Sequence, residues 1–98
     1  MTSDPIELPA NYDELTQPER RLVREEYIRV QEGLCYHCKE PLNGEASEDV
    51  MSKQINENLF PPRFLDWPVH LHHSHVTGMT IGAVHARCNA VLWQYHGE

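Results

Sequence analysis

The stretch from His70 to Asn89 reads HLHHSHVTGMTIGAVHARCN and holds four of the chain's seven histidines in its first six residues. It closes on His85-x-x-Cys88-Asn89, and upstream Cys35-x-x-Cys38 repeats the same ligand spacing. Zinc takes four nitrogen or sulfur ligands in a tetrahedron, and two soft ligands three residues apart can wrap one edge of it. Cys35, Cys38, His85 and Cys88 therefore predict one structural zinc site that accounts for all three cysteines. His37 and His96 compete as fourth ligand, but the His37 backbone lies inside the Cys-x-x-Cys pair and is poorly placed, so His85 is preferred. The plain alternative is three unrelated thiols and a core histidine. Four protein ligands leave no open position, so such a zinc staples a fold and does no chemistry. His70, His72, His73 and His75 still lack a use, and imidazole can accept a proton from water near pH 7.

The elements that must position these groups can be read in part. At 98 residues the chain makes one domain. Its 40% apolar content and mean hydropathy of -0.59 leave a small core, of the kind that needs a metal or disulfide staple. Residues 1–15, with Pro5 and Pro9, read as a flexible lead-in, and residues 16–98 as the zinc-containing domain. Thr16 and Glu19 form a capping-box pattern with Pro18 in the first turn. A helix follows with an apolar stripe of Leu22, Val23, Tyr27 and Val30, and Gly33 beyond its end. The charged remainder of that helix reads as a solvated face, with phosphate contact the lesser alternative.

Cys35 to Ser47 reads as a knuckle or hairpin with an Asn43-Gly44 turn, and a second helix over 48–58 is capped by Ser47. FPPRFLDWP is a rigid connector. Val69–His73 and the run MTIGAVH read as strands separated by the Thr77-Gly78 turn, and Ala86 to Tyr95 as a helix with Ala90, Val91, Leu92 and Trp93 in the core. Trp67 and Trp93 are candidates to pack together.

Charge is unevenly placed. Residues 1–49 carry twelve acids against five Lys/Arg, while residues 50–98 carry three of each. The net charge of -7 argues at first against a nucleic-acid partner, but the histidine-rich half is neutral before any cation is counted. Three cysteines at these spacings make no disulfide framework, and neither a secretory h-region nor a membrane-spanning run is seen. A reducing, cytoplasmic setting is the expectation.

The run HHSHVTGMTIGAVHARCN resembles the HNH nucleases, and most closely the recombination endonuclease VII branch. That branch carries Asp-His-x-His-x-Thr-Gly-x-x-Arg-Gly-x-x-Cys-x-x-Cys-Asn after a Cys-x-x-Cys pair. Without a gap, His73, His75, Thr77, Gly78, Gly82, Cys88 and Asn89 match in place. His72 stands where the family has Asp, Ile81 where it has Arg, and His85 where it has the third zinc cysteine. The likeness covers about eighteen residues plus Cys35 and Cys38, and leaves residues 1–34 and 47–68 unsupported.

The resemblance implies an α+β, zinc-stapled ββα-metal (His-Me finger) fold, here with an added N-terminal helix. It implies a DNA endonuclease that leaves 5′-phosphate ends by one-metal hydrolysis. Carried over by position, His73 is the general base, His72 replaces the metal-binding aspartate, Asn89 is the second ligand or orients the site, and His75 assists catalysis. An imidazole in place of a carboxylate should shift cation preference from Mg2+ toward Mn2+ or Ni2+. With the family arginine absent, Arg87 is favoured over Arg63 for phosphate contact. His70 is expected to be packed or hydrogen-bonded rather than a third ligand, and His96 is a minor candidate near the chain end. A homodimer and a phage or mobile-element origin come from the resemblance alone. The competing reading is a catalytically inactive zinc module that binds nucleic acid or protein. A zinc hydrolase of another type would want an HExxH-like helical pair, which this sequence lacks.

Overall fold

The structure is a computed structural model, and it describes residues 7–97. Its helices are α1 (Gln17–Val30), α2 (Glu48–Met51) and α3 (Ala86–His96). Strands β1 (Val69–His73) and β2 (Thr80–His85) form one two-stranded antiparallel sheet. The order β1, β2, α3 is the strand–strand–helix ending that the sequence predicts, in a small α+β fold. Among the described residues no helix is long and apolar enough to cross a membrane.

The start of α1 follows from its sequence. The Thr16 side chain accepts from the Glu19 amide at 3.3 Å, and the Glu19 carboxylate accepts from the Thr16 amide at 2.9 Å, a complete capping box. The carboxyl of Glu19 is held below its ordinary range by these bonds to Thr16. At the far end Gly33, at φ 77°, donates back to the Ile28 carbonyl and turns the chain into the cysteine knuckle. The buried stripe of α1 is Val23 and Tyr27, with Ile28 packed alongside. Leu22 and Val30, expected in that stripe, are about half exposed because the helix presents only its Val23/Tyr27 edge to the hairpin.

The helix expected over 48–58 stops at Met51. Its Ser47 cap is present at 3.4 Å from the Val50 amide. Beyond it, side chains from α3 take the carbonyls a longer helix would use. Arg87 donates to Met51 O and Lys53 O, while Gln94 and Tyr95 donate to Gln54 O.

Strand pairing runs from Val69 opposite His85 to His73 opposite Thr80 and breaks register once, between His72 and His73. Ile81 is the extra residue on β2, so the bulge falls beside the histidine run. The loop between the strands is held by Ser74, whose Oγ accepts from the Val76 and Thr77 amides. The flexible lead-in expected over 1–15 is tied down where it is described. Ala10 exchanges backbone and side-chain bonds with Thr80, and the Tyr12 amide donates to Gly78 O. Residues 1–6 lie outside the described part.

The core joins Val23, Tyr27, Leu42, Val50, Leu71, Val84 and Val91 with Cys35 and Cys88. The largest fully buried side chains are Val84, Val91, Cys35 and Cys88. No large side chain is among them, so apolar burial alone gives a weak core and a metal staple is physically called for.

Candidate metal centre and histidine groove

The knuckle brings its two sulfurs together by backbone bonds. The Cys35 amide donates to Glu40 O, the Lys39 amide to Cys35 O, and Lys39 takes a left-handed conformation at φ 68° to close the turn. The knuckle docks on β2 through the Tyr36 amide, which donates to Ala83 O at 2.9 Å, and through Gln31, whose amide side chain bonds both Ala83 N and Ala83 O. β2 ends at His85, and the first turn of α3 supplies Cys88.

The ligand atoms of Cys35, Cys38, His85 and Cys88 all lie within 4.8 Å of one another, and these residues are positioned to hold a metal ion. His85 Nδ1 is 3.4 Å from Cys38 Sγ and 3.6 Å from Cys88 Sγ. A tetrahedral zinc with bonds of about 2.3 Å to sulfur and about 2.0 Å to nitrogen has S···N edges of roughly 3.5 Å, so the donor set fits zinc. His85 Nε2 donates to Pro41 O at 2.8 Å, which leaves Nδ1 as the ligating nitrogen. A hydrogen bond from Cys88 brings the Cys35 thiol down to about 4, and the same bond, with burial behind it, pushes Cys88 up. A divalent cation held here would favour the thiolate forms that ligate it. His37 and His96, the competing ligands, are outside this group, with their rings 6.4 Å apart.

Three of the remaining histidines meet at a groove of about 1190 Å³. His70, His73, His75 and Asn89 line it, with Trp93 one helical turn beyond Asn89. The Asn89 Nδ2, which can only donate, bonds His70 Nδ1 at 3.1 Å. That bond makes His70 Nδ1 an acceptor and leaves Asn89 Oδ1 outside this contact. Burial lowers the His70 pKa, in keeping with an uncharged ring. His70 is thus hydrogen-bonded, and its ring also meets Phe64 edge-on at 4.6 Å.

His73 stacks on Tyr12, with centroids 3.8 Å apart and planes 5° from parallel. The Arg20 guanidinium covers Tyr12 at 3.9 Å and donates to the Tyr12 carbonyl. His75 stands 5.0 Å from His73 and 4.8 Å from Trp93, ring to ring. Burial lowers the His73 pKa, and the neighbouring His75 adds to the effect.

Two expected roles are not supported by placement. His72 is buried at 3% exposure and is not among the groove-lining residues, and the side chain that bonds Asn89 is His70 instead. The break in register falls between it and His73. Arg87, expected at phosphate, is instead turned to the carbonyls that end α2, where its Nη2 donates to Met51 O and Lys53 O while its Nε is buried without a hydrogen-bond partner. The sequence reading missed Tyr12, which lies in the segment read as flexible, and gave only as the lesser alternative a binding role for the charged face of α1, from which Arg21 and Arg24 line the groove. The helical spacing of Gln17, Arg20, Arg21, Arg24 and Ile28 was the available signal for the second of these. Trp67 and Trp93 line the same groove, and no ring contact joins them among the described residues.

Comparison with known proteins gives no matching family model, no matching curated protein and no matching solved structure.

Proposed function

We propose that the chain is a metal-dependent DNA endonuclease of the HNH type, hydrolysing phosphodiester bonds with His73 as general base. The observation that carries this reading is the shared groove of His73, His75 and Asn89, with Asn89 placed directly after the metal-site residue Cys88. A metal ion in the cysteine site would hold the first turn of α3, and with it Asn89, against the hairpin that carries His73.

In this reaction His73 takes a proton from a water molecule, and the water oxygen attacks phosphorus. The bond to the 3′-oxygen breaks and that oxygen takes a proton from solvent, leaving a 5′-phosphate and a 3′-hydroxyl, while the imidazolium returns its proton to solvent. A divalent cation at Asn89 Oδ1 would supply positive charge where the leaving oxygen becomes anionic. Burial keeps His73 unprotonated at neutral pH, the form a base needs. Tyr12 is a positioning residue that holds the imidazole plane.

A second reading, an inactive zinc module that binds nucleic acid or protein, is favoured by the burial of His72 outside the groove. Plasmid nicking with added Mg2+, Mn2+ or Ni2+, comparing wild type with His73→Ala, separates the two. Nicking that needs both the cation and His73 supports the nuclease. Intact plasmid under every cation supports the module.

A further inference from the structure

The groove extends well past the histidines. One wall is α1, which faces it with Arg20, Arg21 and Arg24; the other is the connector before β1, which faces it with Phe60, Phe64 and Trp67. At about 1190 Å³ it is larger than the roughly 300–1,000 Å³ of small-molecule clefts, which suits a piece of polymer. Three of the chain's eight Lys/Arg stand on the α1 wall with a single acid, Glu25, in a protein of net charge -7. A polyanion is repelled by most of this surface and attracted here. Arg20 is engaged with Tyr12, whereas Arg21 reaches only the exposed Glu25, and Arg24 has no ion-pair partner among the described residues.

The opposite wall distinguishes one kind of polyanion from another. Trp67 is 72% exposed and Trp93 41%, and both line the groove. A duplex keeps its bases stacked on each other and offers such rings nothing. An unpaired strand offers a base face to each ring and a phosphate to each guanidinium, the pattern of single-strand binding surfaces.

We infer that this groove binds a DNA strand with unpaired bases, Arg21 and Arg24 holding its phosphates while Trp67 and Trp93 stack its bases across the His73 site. The inference deepens the nuclease reading and rests on it for the reaction, though not for binding.

The test uses the full chain, a short fluorescein-labelled oligo-dT and a blunt duplex of the same length, with no catalytic cation added. Both tryptophans lie on the groove, so saturation with oligo-dT should quench the protein's own emission. Wild type should bind oligo-dT about tenfold or more tightly than duplex. Trp67→Ala should weaken oligo-dT binding about tenfold, the effect of losing one stacked base. Arg21→Ala/Arg24→Ala should flatten the slope of log K against log salt by about 1.4, roughly 0.7 for each lost phosphate contact. Arg29→Ala, on the same helix but paired with Glu26 away from the groove, should bind as wild type does. These side chains lie at the surface, and far-ultraviolet circular dichroism checks that each variant keeps its fold.

Duplex bound as tightly as oligo-dT, no quenching at saturation, or variants indistinguishable from wild type would each overturn the inference. Oligo-dT bound through these residues but cut under no cation would sink the nuclease reading alone. Cutting that needs His73, with oligo-dT binding indifferent to Trp67 and the arginines, would sink the cradle alone.

Discussion

Tyr12 lies flat against His73 at 3.8 Å, although sixty-one residues separate them in the chain. The contact exists because the segment before α1 is stitched to the hairpin loop, by Ala10 to Thr80 and by the Tyr12 amide to Gly78. Arg20 then closes the other face of the phenol ring. Tyr12→Phe keeps the stack and should retain most of the nicking rate. Tyr12→Ala frees the imidazole, and the rate should fall about tenfold or more, as misplacement of a general base does. Metal content and melting temperature should change little. Loss of fold in step with loss of rate would show Tyr12 to be merely structural.

The His73 pKa is lowered, first by burial and next by His75. A lowered value means that the neutral, proton-accepting form persists below the ordinary pKa of about 6.5. The rising limb of the nicking rate against pH should therefore have its midpoint below 6.5, and Tyr12→Ala, which hydrates the ring, should move it upward. The same shift acts on folding. Its stabilising contribution is complete above the unfolded value near 6.5 and is lost as pH falls toward and through the lower folded value. A rate profile with its midpoint above 6.5 would contradict the burial argument.

Wild type should hold one zinc per chain in elemental analysis, and Cys38→Ala should hold none. Because a preformed four-ligand site exists only in the folded chain, zinc binding is also folding energy. Strong chelation should remove the cooperative thermal transition, and added zinc should restore it. A chelator-treated chain that melts as before would show that the core suffices without the metal.

Gly82 faces the knuckle. A Cβ built there would lie 2.9 Å from Tyr36 Cβ and Cγ and 2.9 Å from Gln31 Oε1. Tyr36 is anchored through its own backbone, so the clash cannot be relieved by a flexible side-chain end. Gly82→Ala should cost about 1–3 kcal/mol, the range of overpacking substitutions. At this size that lowers the melting temperature by roughly 4–8 °C per kcal/mol. Calorimetry of the zinc-loaded protein reads the shift directly.

The parts of the fold that were legible in sequence are those governed by neighbours. The Thr16/Glu19 box, the knuckle around Cys35 and Cys38, and the zinc ligand set all depend on short spacings that chemistry restricts narrowly. The parts that were not legible depend on partners far along the chain. Leu22 fits the helical period as well as Val23 does, and only the position of the hairpin decides which is covered. α2 ends early because Arg87, Gln94 and Tyr95 arrive from α3. Arg87 was assigned to phosphate for its closeness in sequence to Asn89, and nothing local announces that Met51 and Lys53 carbonyls take its donors. His73 lines the groove and His72 does not, although regular alternation would group His72 with the groove-lining His70, and the break in register after His72 is not visible in a spacing.

The hold of residues 10–12 on the hairpin has a practical side for anyone engineering this chain. A shortened version begun at the α1 cap would keep the four metal-site residues, both strands and both long helices, but would lose the core contacts of Leu8, Ala10, Tyr12 and Leu15. It would also have lost the aromatic stack over His73, and an assay of such a fragment would report the trimming rather than the intact chain.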